Sequence, residues 1–243
     1  MAINWSTTSQ VNLRAGVKVL AYSESGMGKT TLCATAPRPL IISAESGLLS
    51  LRKQNLEKLY GVGNNEITYD IPVIAVTNVT DVNDALQWIL FAKEASYFDT
   101  ICMDSASEIA EVILNNAKRQ VKDPRQAYGE LIEKMETTIR AFRDIPEKHV
   151  YISAKSEWAK DEMTGVVKNG PSMPGSKLGQ KLPYFFDEVF RLGINKTPQN
   201  VQYRFLQTQP DLQNVAKDRS GALDAIEEPH LTHVFNKILS GVN

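Results

Sequence analysis

The fold is decided by the stretch Val17-Lys18-Val19-Leu20-Ala21-Tyr22-Ser23-Glu24-Ser25-Gly26-Met27-Gly28-Lys29-Thr30-Thr31. Its apolar first half is typical of a buried strand, its second half is a glycine-rich turn, and the next residues, Leu32 to Ala36, are compatible with a helix. In such an arrangement, backbone N–H groups and the positive end of the helix dipole converge on one point, where polyphosphate can bind. The stretch therefore predicts a phosphate-binding loop between a strand and a helix.

The residue types of this loop predict a bound ATP with its magnesium ion. Lys29 is expected to reach the β and γ phosphates, and the Thr30 hydroxyl is expected to bind Mg²⁺. The established pattern has glycine at the position of Ser23, a small residue that tolerates turns, so the sequence leaves the affinity for ATP open. The loop residues expected to contact the nucleotide are Ser23, Glu24, Ser25, Gly26, Met27, Gly28, Lys29, Thr30 and Thr31.

Composition limits the class of protein. With 243 residues, 42% of them hydrophobic, the chain is long enough for one α/β domain over residues 1–243, with an N-terminal arm at 1–11. The 27 Lys and Arg against 28 Asp and Glu leave a net charge of −1, which excludes a global basic field, so any DNA contact must be local or created by assembly. Without signal-peptide features or an apolar run of about 18 residues, we expect a soluble cytoplasmic protein with no membrane contact.

Short runs rich in Ile and Val alternate with stretches of helical periodicity, which is typical of a mostly parallel sheet flanked by helices. These runs are Pro39 to Ser43, Pro72 to Val76, Thr100 to Asp104 and His149 to Ala154. Later in the chain, Glu188 to Ile194 and Val201 to Thr208 predict an antiparallel hairpin at the sheet edge. Residues 155–181 are predicted to be a mobile loop region, because Asp161 to Gly179 holds four glycines and two prolines.

Two carboxylates follow predicted strands and are candidates for the chemistry. Asp104 ends an apolar strand and is expected to hold Mg²⁺ beside Thr30, although it could instead cap the helix that follows. Glu45 follows the second strand, at the sheet edge that faces the ligand in parallel sheets, and is the candidate base for hydrolysis. The alternative for Glu45 is a solvated loop glutamate.

Taken together, these segments resemble the RecA-like ATPase core. The chain looks like the phage nucleotide-binding proteins that act as RecA-like single-strand annealing proteins, which are shortened relatives of RecA. The resemblance also rests on Asp123-Pro124-Arg125-Gln126-Ala127-Tyr128-Gly129 and Val150-Tyr151-Ile152-Ser153-Ala154-Lys155, and it covers most of the chain. It implies a single RecA-like P-loop NTPase domain, with a mostly parallel central sheet and an antiparallel edge hairpin, in the cytoplasm of the host cell.

The resemblance also implies roles for residues far from the loop. A polar residue at the tip of the fifth strand, Ser153 or Lys155, would sense the γ phosphate. Lys217 and Arg219 would reach the ATP site of a neighbouring subunit and stabilise the transferred phosphoryl group, unless they form an ordinary solvated turn. Two loops would line a DNA channel, or else be solvated and flexible, with contacts from Lys155, Trp158, Lys160, Lys168, Lys177 and Lys181.

Two classes of function remain open at this point. The first is an ATP-hydrolysing DNA-recombination protein that assembles into a ring or filament on single-stranded DNA and promotes annealing or strand pairing, in some cases with a single-strand-binding protein. The second is a nucleotide-dependent switch or adaptor that acts on a protein partner without binding DNA. Elsewhere, His230 and His233 lie three residues apart, and without a third ligand the sequence favours a helix surface over a metal site.

Overall fold

The computed structural model of the protein describes residues 7, 16–45, 48–160 and 165–241. The predicted arm at 1–11 therefore lies outside the described residues, apart from Thr7. Among the residues described, no helix combines the length and the apolar character needed to cross a membrane.

Strands and helices alternate through the first two thirds of the chain. The strands are β1 (Lys18–Ser23), β2 (Pro39–Ser43), β3 (Val73–Ala75), β4 (Thr100–Asp104), β5 (His149–Lys160), β6 (Val167–Ser172), β7 (Glu188–Lys196), β8 (Gln202–Gln207), β9 (Lys217–Asp218) and β10 (Ile226–Glu227). The helices are α1 (Lys29–Leu32), α2 (Lys53–Tyr60), α3 (Val79–Phe91), α4 (Ala106–Gln120), α5 (Pro124–Arg143), α6 (Ser176–Lys181) and α7 (Leu231–Ser240). Short 3-10 turns lie at Cys33–Thr35, Leu49–Leu51, Lys93–Tyr97 and Leu182–Tyr184.

One sheet runs through the described part of the chain, in the order β10-β8-β7-β1-β5-β4-β2-β3. The pairs from β7 through β1, β5, β4 and β2 to β3 are parallel, whereas β8 and β10 are antiparallel. Strand β1 lies between β5 and β7, so the loop that follows it opens in the middle of the sheet edge. This topology confirms the predicted α/β class and its antiparallel edge hairpin, although the short β10 lies beyond that hairpin.

Both faces of the sheet are covered, because side chains of β1 alternate between two apolar clusters. Leu20 and Tyr22 pack with α3, α4 and α5, while Val19 and Ala21 pack with α7 on the other face. The long helix α5 presents the predicted buried stripe of Leu131, Met135, Ile139 and Phe142. The free thiols of Cys33 and Cys102 are buried on the α7 side, and burial raises the pKa of Cys33 well above its usual range.

Local sequence sets where the covering helices begin. Helix α3 begins after Asn78, whose side chain accepts from the N–H groups of Thr80 and Asp81 in a capping box. Helix α4 begins after Ser105, which accepts from the Glu108 N–H. Helix α5 has Asp123 as its cap and a proline in its first turn, where no N–H is needed.

The prediction of a long loop over residues 155–181 is wrong for the part that the structure describes. Strand β5 continues to Lys160 and pairs antiparallel with β6, and α6 follows. Residues 161–164, at the end of the hairpin, lie outside the described residues. The glycines and prolines that suggested a loop are compatible with an added strand here, because Asn169, beside Gly170, accepts a backbone hydrogen bond from Val215, and Pro171 lies in a strand at the margin of the main sheet.

Candidate nucleotide-binding site

The phosphate loop joins β1 to α1 and has the backbone that a bound anion requires. Gly26 and Gly28 have φ angles of 79° and 107°, in the left-handed region that glycine adopts without a steric penalty. Gly28 O accepts from the Leu32 N–H at 3.0 Å and from the Thr31 hydroxyl at 3.0 Å, which closes the first turn of α1. The loop is therefore held open as a cradle at the start of a helix.

Ser23, at the position where glycine is usual, fits the loop through its hydroxyl. It is the last residue of β1, and its backbone is not left-handed. Lys29 Nζ donates to Ser23 Oγ at 3.2 Å, to Ser23 O at 2.9 Å and to Glu24 O at 2.9 Å. Burial lowers the pKa of Lys29, while the carboxylates of Asp104 and Glu45 oppose that shift. Ser23 thus orients the loop lysine.

Asp104 joins the phosphate loop to the neighbouring strands. Its Oδ2 accepts from the Thr30 hydroxyl at 2.6 Å, and its Oδ1 accepts from the Ser153 hydroxyl at 2.5 Å. Asp104 is only 1% exposed, and Ser153 is fully buried. Ser153 therefore acts on the site through Asp104. Since Ser105 caps α4, the alternative role of Asp104 as a helix cap does not apply.

The donor set around Thr30 and Asp104 suits magnesium. A hydroxyl and a carboxylate oxygen are hard oxygen ligands, and they face each other where the loop meets the sheet. The carboxylate is held in place by the second hydroxyl, that of Ser153, so little side-chain entropy would be lost on binding a cation.

Charged groups beyond Asp104 form a network around Glu45, which follows β2 and is exposed. Partial burial and the negative charges of Asp104 and Glu108 raise the pKa of Glu45, against the effect of Lys29. Lys155, two residues beyond Ser153, forms a salt bridge with Glu108. Its backbone N–H donates to Ser107 Oγ at 2.9 Å. Lys155 is therefore part of the sheet edge at the nucleotide site, not of a loop.

A cleft of about 510 Å³ opens beside the phosphate loop and was not predicted from the sequence. It lies between the loop, the end of α2 and strand β8, and its lining includes Met27, Tyr60, Tyr203 and Glu228. The Arg204 guanidinium carbon lies 3.6 Å from the position that a Cβ on Gly28 would take. Among the described residues, the side chain of Arg204 makes no hydrogen bond or salt bridge, although its backbone pairs with β7. An unpaired cation thus lies beside the loop.

Lys217 and Arg219 lie at the opposite end of the sheet from this loop. Strand β9 pairs with the start of β7, which in turn lies beside Val19 near the start of β1. Lys217 Nζ donates to Pro183 O at 2.5 Å, and Arg219 pairs with Asp187 at 3.0 Å. Both side chains are therefore held at that end of the sheet, away from the phosphate loop of their own chain.

The basic residues expected to contact DNA divide between two elements. Trp158, 57% exposed, and Lys160 lie on β5, and Lys168 lies on β6. Lys177 and Lys181 lie on α6, where Lys181 pairs with Glu136 at 2.7 Å. The acidic residues Asp161 and Glu162, within the predicted loop, lie outside the described residues.

His230 and His233 are not a simple helix surface. His230 caps α7, is 3% exposed, and stacks on the ring of His233 with centroids 3.8 Å apart. Glu66, from the segment after α2, supplies the third potential ligand that the sequence did not reveal. Sequence spacing gave no signal for it, because 164 or more residues separate Glu66 from the two histidines.

The match to a family model agrees with this site. The family model described as an AAA domain matches residues 15–220. Among solved structures, the KaiC-like protein PH0186 from the hyperthermophilic archaeon Pyrococcus horikoshii OT3 is similar at 14% identity and a TM-score of 0.41, over 79% of this chain and 77% of that chain. A search of curated proteins finds no match.

The family match covers the phosphate loop, both candidate carboxylates and the whole parallel part of the sheet. It agrees with the RecA-like α/β P-loop fold predicted from the sequence and with a bound nucleoside triphosphate as ligand. The chain belongs to the AAA domain family and is a nucleotide-binding P-loop NTPase.

Proposed function

We propose that the protein is an ATPase of DNA recombination, which assembles on single-stranded DNA and promotes annealing or strand pairing. One observation carries the proposal. Asp104 is bonded both to Thr30 of the phosphate loop and to Ser153 of β5, and β5 continues without a break into the hairpin that presents Trp158 and Lys160. A single strand therefore connects the nucleotide site to a basic, aromatic surface.

In this proposal the phosphate loop binds and orients the triphosphate. Its N–H groups and Lys29 hold the phosphates, and Lys29 exchanges its contacts with Ser23 and Glu24 for phosphate oxygens. Thr30 and Asp104 hold Mg²⁺, which when bound neutralises charge on the transferred phosphoryl group.

Glu45 is the proposed base. Its raised pKa makes it a better proton acceptor than an ordinary glutamate, and it lies among the charges of Asp104, Lys29 and Lys155. It would take a proton from the attacking water as the water oxygen bonds to the γ phosphorus, while the bond from the γ phosphorus to the bridging oxygen breaks and ADP leaves. Lys155 is positioned to leave Glu108 for the γ phosphate, which would link the state of the nucleotide to the hairpin.

The cleft beside the loop is the proposed site for the nucleoside. The ring of Tyr60 offers a surface for stacking, and its hydroxyl is held by Thr31 O at 3.4 Å. The guanidinium of Arg204 lies beside Gly28 of the loop and is available for a phosphate oxygen of the same nucleotide.

We propose assembly because Lys217 and Arg219, the cations that would complete the site, lie at the end of the sheet opposite the phosphate loop. If Lys217 and Arg219 act, they act in the site of a neighbouring copy, and Arg219 must leave Asp187 to do so. The hydrolysis rate per molecule should then rise with protein concentration. A rate that stays constant over a thousandfold dilution would contradict the role of these residues in a second subunit.

The proposal as a whole is tested by ATP hydrolysis with and without single-stranded DNA, with Lys29→Ala as the control for the loop. We expect stimulation by DNA that disappears in Lys29→Ala. Hydrolysis that needs Lys29 but ignores DNA would contradict the recombination function. That result would favour the second candidate, a nucleotide-dependent adaptor that uses the exposed Trp158 surface to bind a protein.

A further inference from the structure

Three potential metal ligands meet beside α7, away from the phosphate loop. One ring nitrogen of His230, one of His233 and a carboxylate oxygen of Glu66 lie within 4.8 Å of one another. His233 Nε2 and Glu66 Oε1 are 3.3 Å apart. In a tetrahedral zinc site with bonds of about 2.0–2.1 Å, neighbouring ligand atoms are about 3.3–3.4 Å apart. This pair of atoms already has that spacing.

Glu228 holds His233 in the orientation that a metal ligand needs. The second nitrogen of the ring, Nδ1, lies 3.3 Å from Glu228 Oε2. In the tautomer with its proton on Nδ1, this proton is bonded to the Glu228 carboxylate, and Nε2, on the side of Glu66, can bind a cation. Metal-binding histidines commonly donate their other N–H to a carboxylate in this way, which fixes the tautomer and makes the ligand more basic.

His230 brings a buried nitrogen that the described protein leaves without a partner. The residue is 3% exposed, and its Nε2 has no hydrogen-bond partner among the described residues. Its Nδ1 accepts only a long 3.4 Å contact from the His233 N–H. An unpaired polar atom in a buried position carries a free-energy cost, which a bound cation would remove.

We propose that Glu66, His230 and His233 form a site for a transition-metal dication, with Zn²⁺ as the best fit and Glu228 as the residue that orients His233. Two imidazoles and one carboxylate are a donor set that suits zinc, and a fourth position remains for water. The stacked rings must turn relative to each other to share one ion.

A metal ion at Glu66, His230 and His233 would have a structural effect. Glu66 belongs to the segment after α2, and the two histidines begin α7, so the ion would join two segments that are distant in sequence. Glu228 and Pro229, next to His230, line the cleft beside the phosphate loop. Bound zinc would therefore fix one wall of that cleft, without taking part in hydrolysis.

The test is a titration of the protein with Zn²⁺, in competition with a chromophoric chelator, after any histidine tag has been removed. We expect one Zn²⁺ per chain, an increase in melting temperature, and the visible absorption of tetrahedral cobalt when Co²⁺ replaces Zn²⁺. In Glu66→Gln and His233→Asn the affinity should fall at least tenfold, because each loses one of three protein ligands. Both positions are exposed, so the variants should stay folded, as circular dichroism would verify.

Two control variants test whether the loss of Zn²⁺ affinity is specific to this site. Glu94→Gln removes an equally exposed carboxylate elsewhere and should bind Zn²⁺ as the unchanged protein does. Lys29→Ala disables the phosphate loop and should also keep the zinc site, so the two proposals can fail separately. Failure to bind one equivalent of Zn²⁺, or binding that Glu66→Gln and His233→Asn leave unchanged, would overturn the inference.

Discussion

The hydroxyl of Thr30 donates a 2.6 Å hydrogen bond to Asp104, a residue 74 positions further along the chain. Thr30 belongs to α1, the helix that begins at the phosphate loop. Asp104 ends β4, which lies two strands away from β1 in the sheet. This contact places the two proposed magnesium ligands together. Each part of the site can be tested by its own substitution.

Replacing Asp104 by Asn should separate the effect of its negative charge on hydrolysis from the effect of its shape on the fold. An amide can still bond to the hydroxyls of Thr30 and Ser153, so the fold should persist. The loss of one negative charge should lower the rate of hydrolysis by about 10²-fold and raise the Mg²⁺ concentration needed for half-maximal rate. Steady-state kinetics over a range of Mg²⁺ measures both. An unchanged Mg²⁺ requirement would remove Asp104 from the proposed metal site.

Replacing Glu45 by Gln should stop hydrolysis but not binding. A positioned base contributes about 10²- to 10⁴-fold, and its carboxylate must be unprotonated to act. Since the pKa of Glu45 is raised, the rate should already fall on the acid side at a pH above the usual range of a glutamate. A pH profile of the unchanged protein and a binding titration of the variant test the two statements. A variant with full activity would identify Glu45 as an ordinary surface residue.

Replacing Arg204 by Ala should weaken nucleotide binding about tenfold or more. The guanidinium has no salt bridge to lose among the described residues, and a charge-assisted bond to phosphate contributes about 1.5–3 kcal/mol. Calorimetric titration with a non-hydrolysable ATP analogue measures the change. Arg52→Ala, an exposed arginine that does not line the cleft, is the matched control and should bind normally.

Trp158 should contribute to DNA affinity through stacking. Its side chain is 57% exposed on the hairpin, and removal of a stacking aromatic costs about 1–3 kcal/mol per base. Fluorescence anisotropy with a single-stranded oligonucleotide should show the loss in Trp158→Ala. Tyr184→Ala, which removes an aromatic ring that is 80% exposed on another element, serves as control. Equal losses in both variants would show that the effect is not specific to the hairpin.

A buried glutamate beside a second carboxylate should make stability depend on pH. Glu188 is 2% exposed and pairs across β7 and β9 with Asp218, and burial with that neighbouring charge raises its pKa to about 8. Because the folded state holds this proton more tightly than the unfolded state, the stabilisation is complete below the usual glutamate pKa and is lost as pH rises through about 8.

Denaturant unfolding should therefore show a loss on the order of 1–2 kcal/mol between pH 6 and pH 9. Glu188→Gln keeps the neutral shape of the side chain and should lack this loss. If the variant shows the same loss as the unchanged protein, another group carries the proton.

The sequence predicted the elements whose signals are local. The strand, loop and helix around Lys29 follow from residue types in fixed order, and the buried strand that ends at Asp104 follows from a run of apolar residues. The hairpin of β5 and β6 was missed because Gly170 and Pro171 are compatible with a strand only where Val215 and its neighbours pack alongside, which no local pattern reveals.

The same limit applies to the site. Ser23 could be recognised as a departure from the usual loop, but its bond to Lys29 depends on how the loop folds back. Arg204 and Glu66 carry no motif. Arg204 lies at the nucleotide site only because β8 lies beside the phosphate loop. Glu66 lies beside the two histidines only because the segment after α2 lies beside α7. Contacts between residues far apart in sequence require the complete fold.

Strand β5 has a buried half, from Val150 to Ala154, and a half-exposed continuation to Lys160. From Ser153 to Lys160 it extends about 23 Å, at about 3.3 Å per residue. A pull on the hairpin along this axis would load the hydrogen bonds to β1 and β4 in shear, all at once, rather than opening them one after another. In the proposed assembly on DNA, the strand would thus transmit mechanical tension from the hairpin to Asp104 with little stretching.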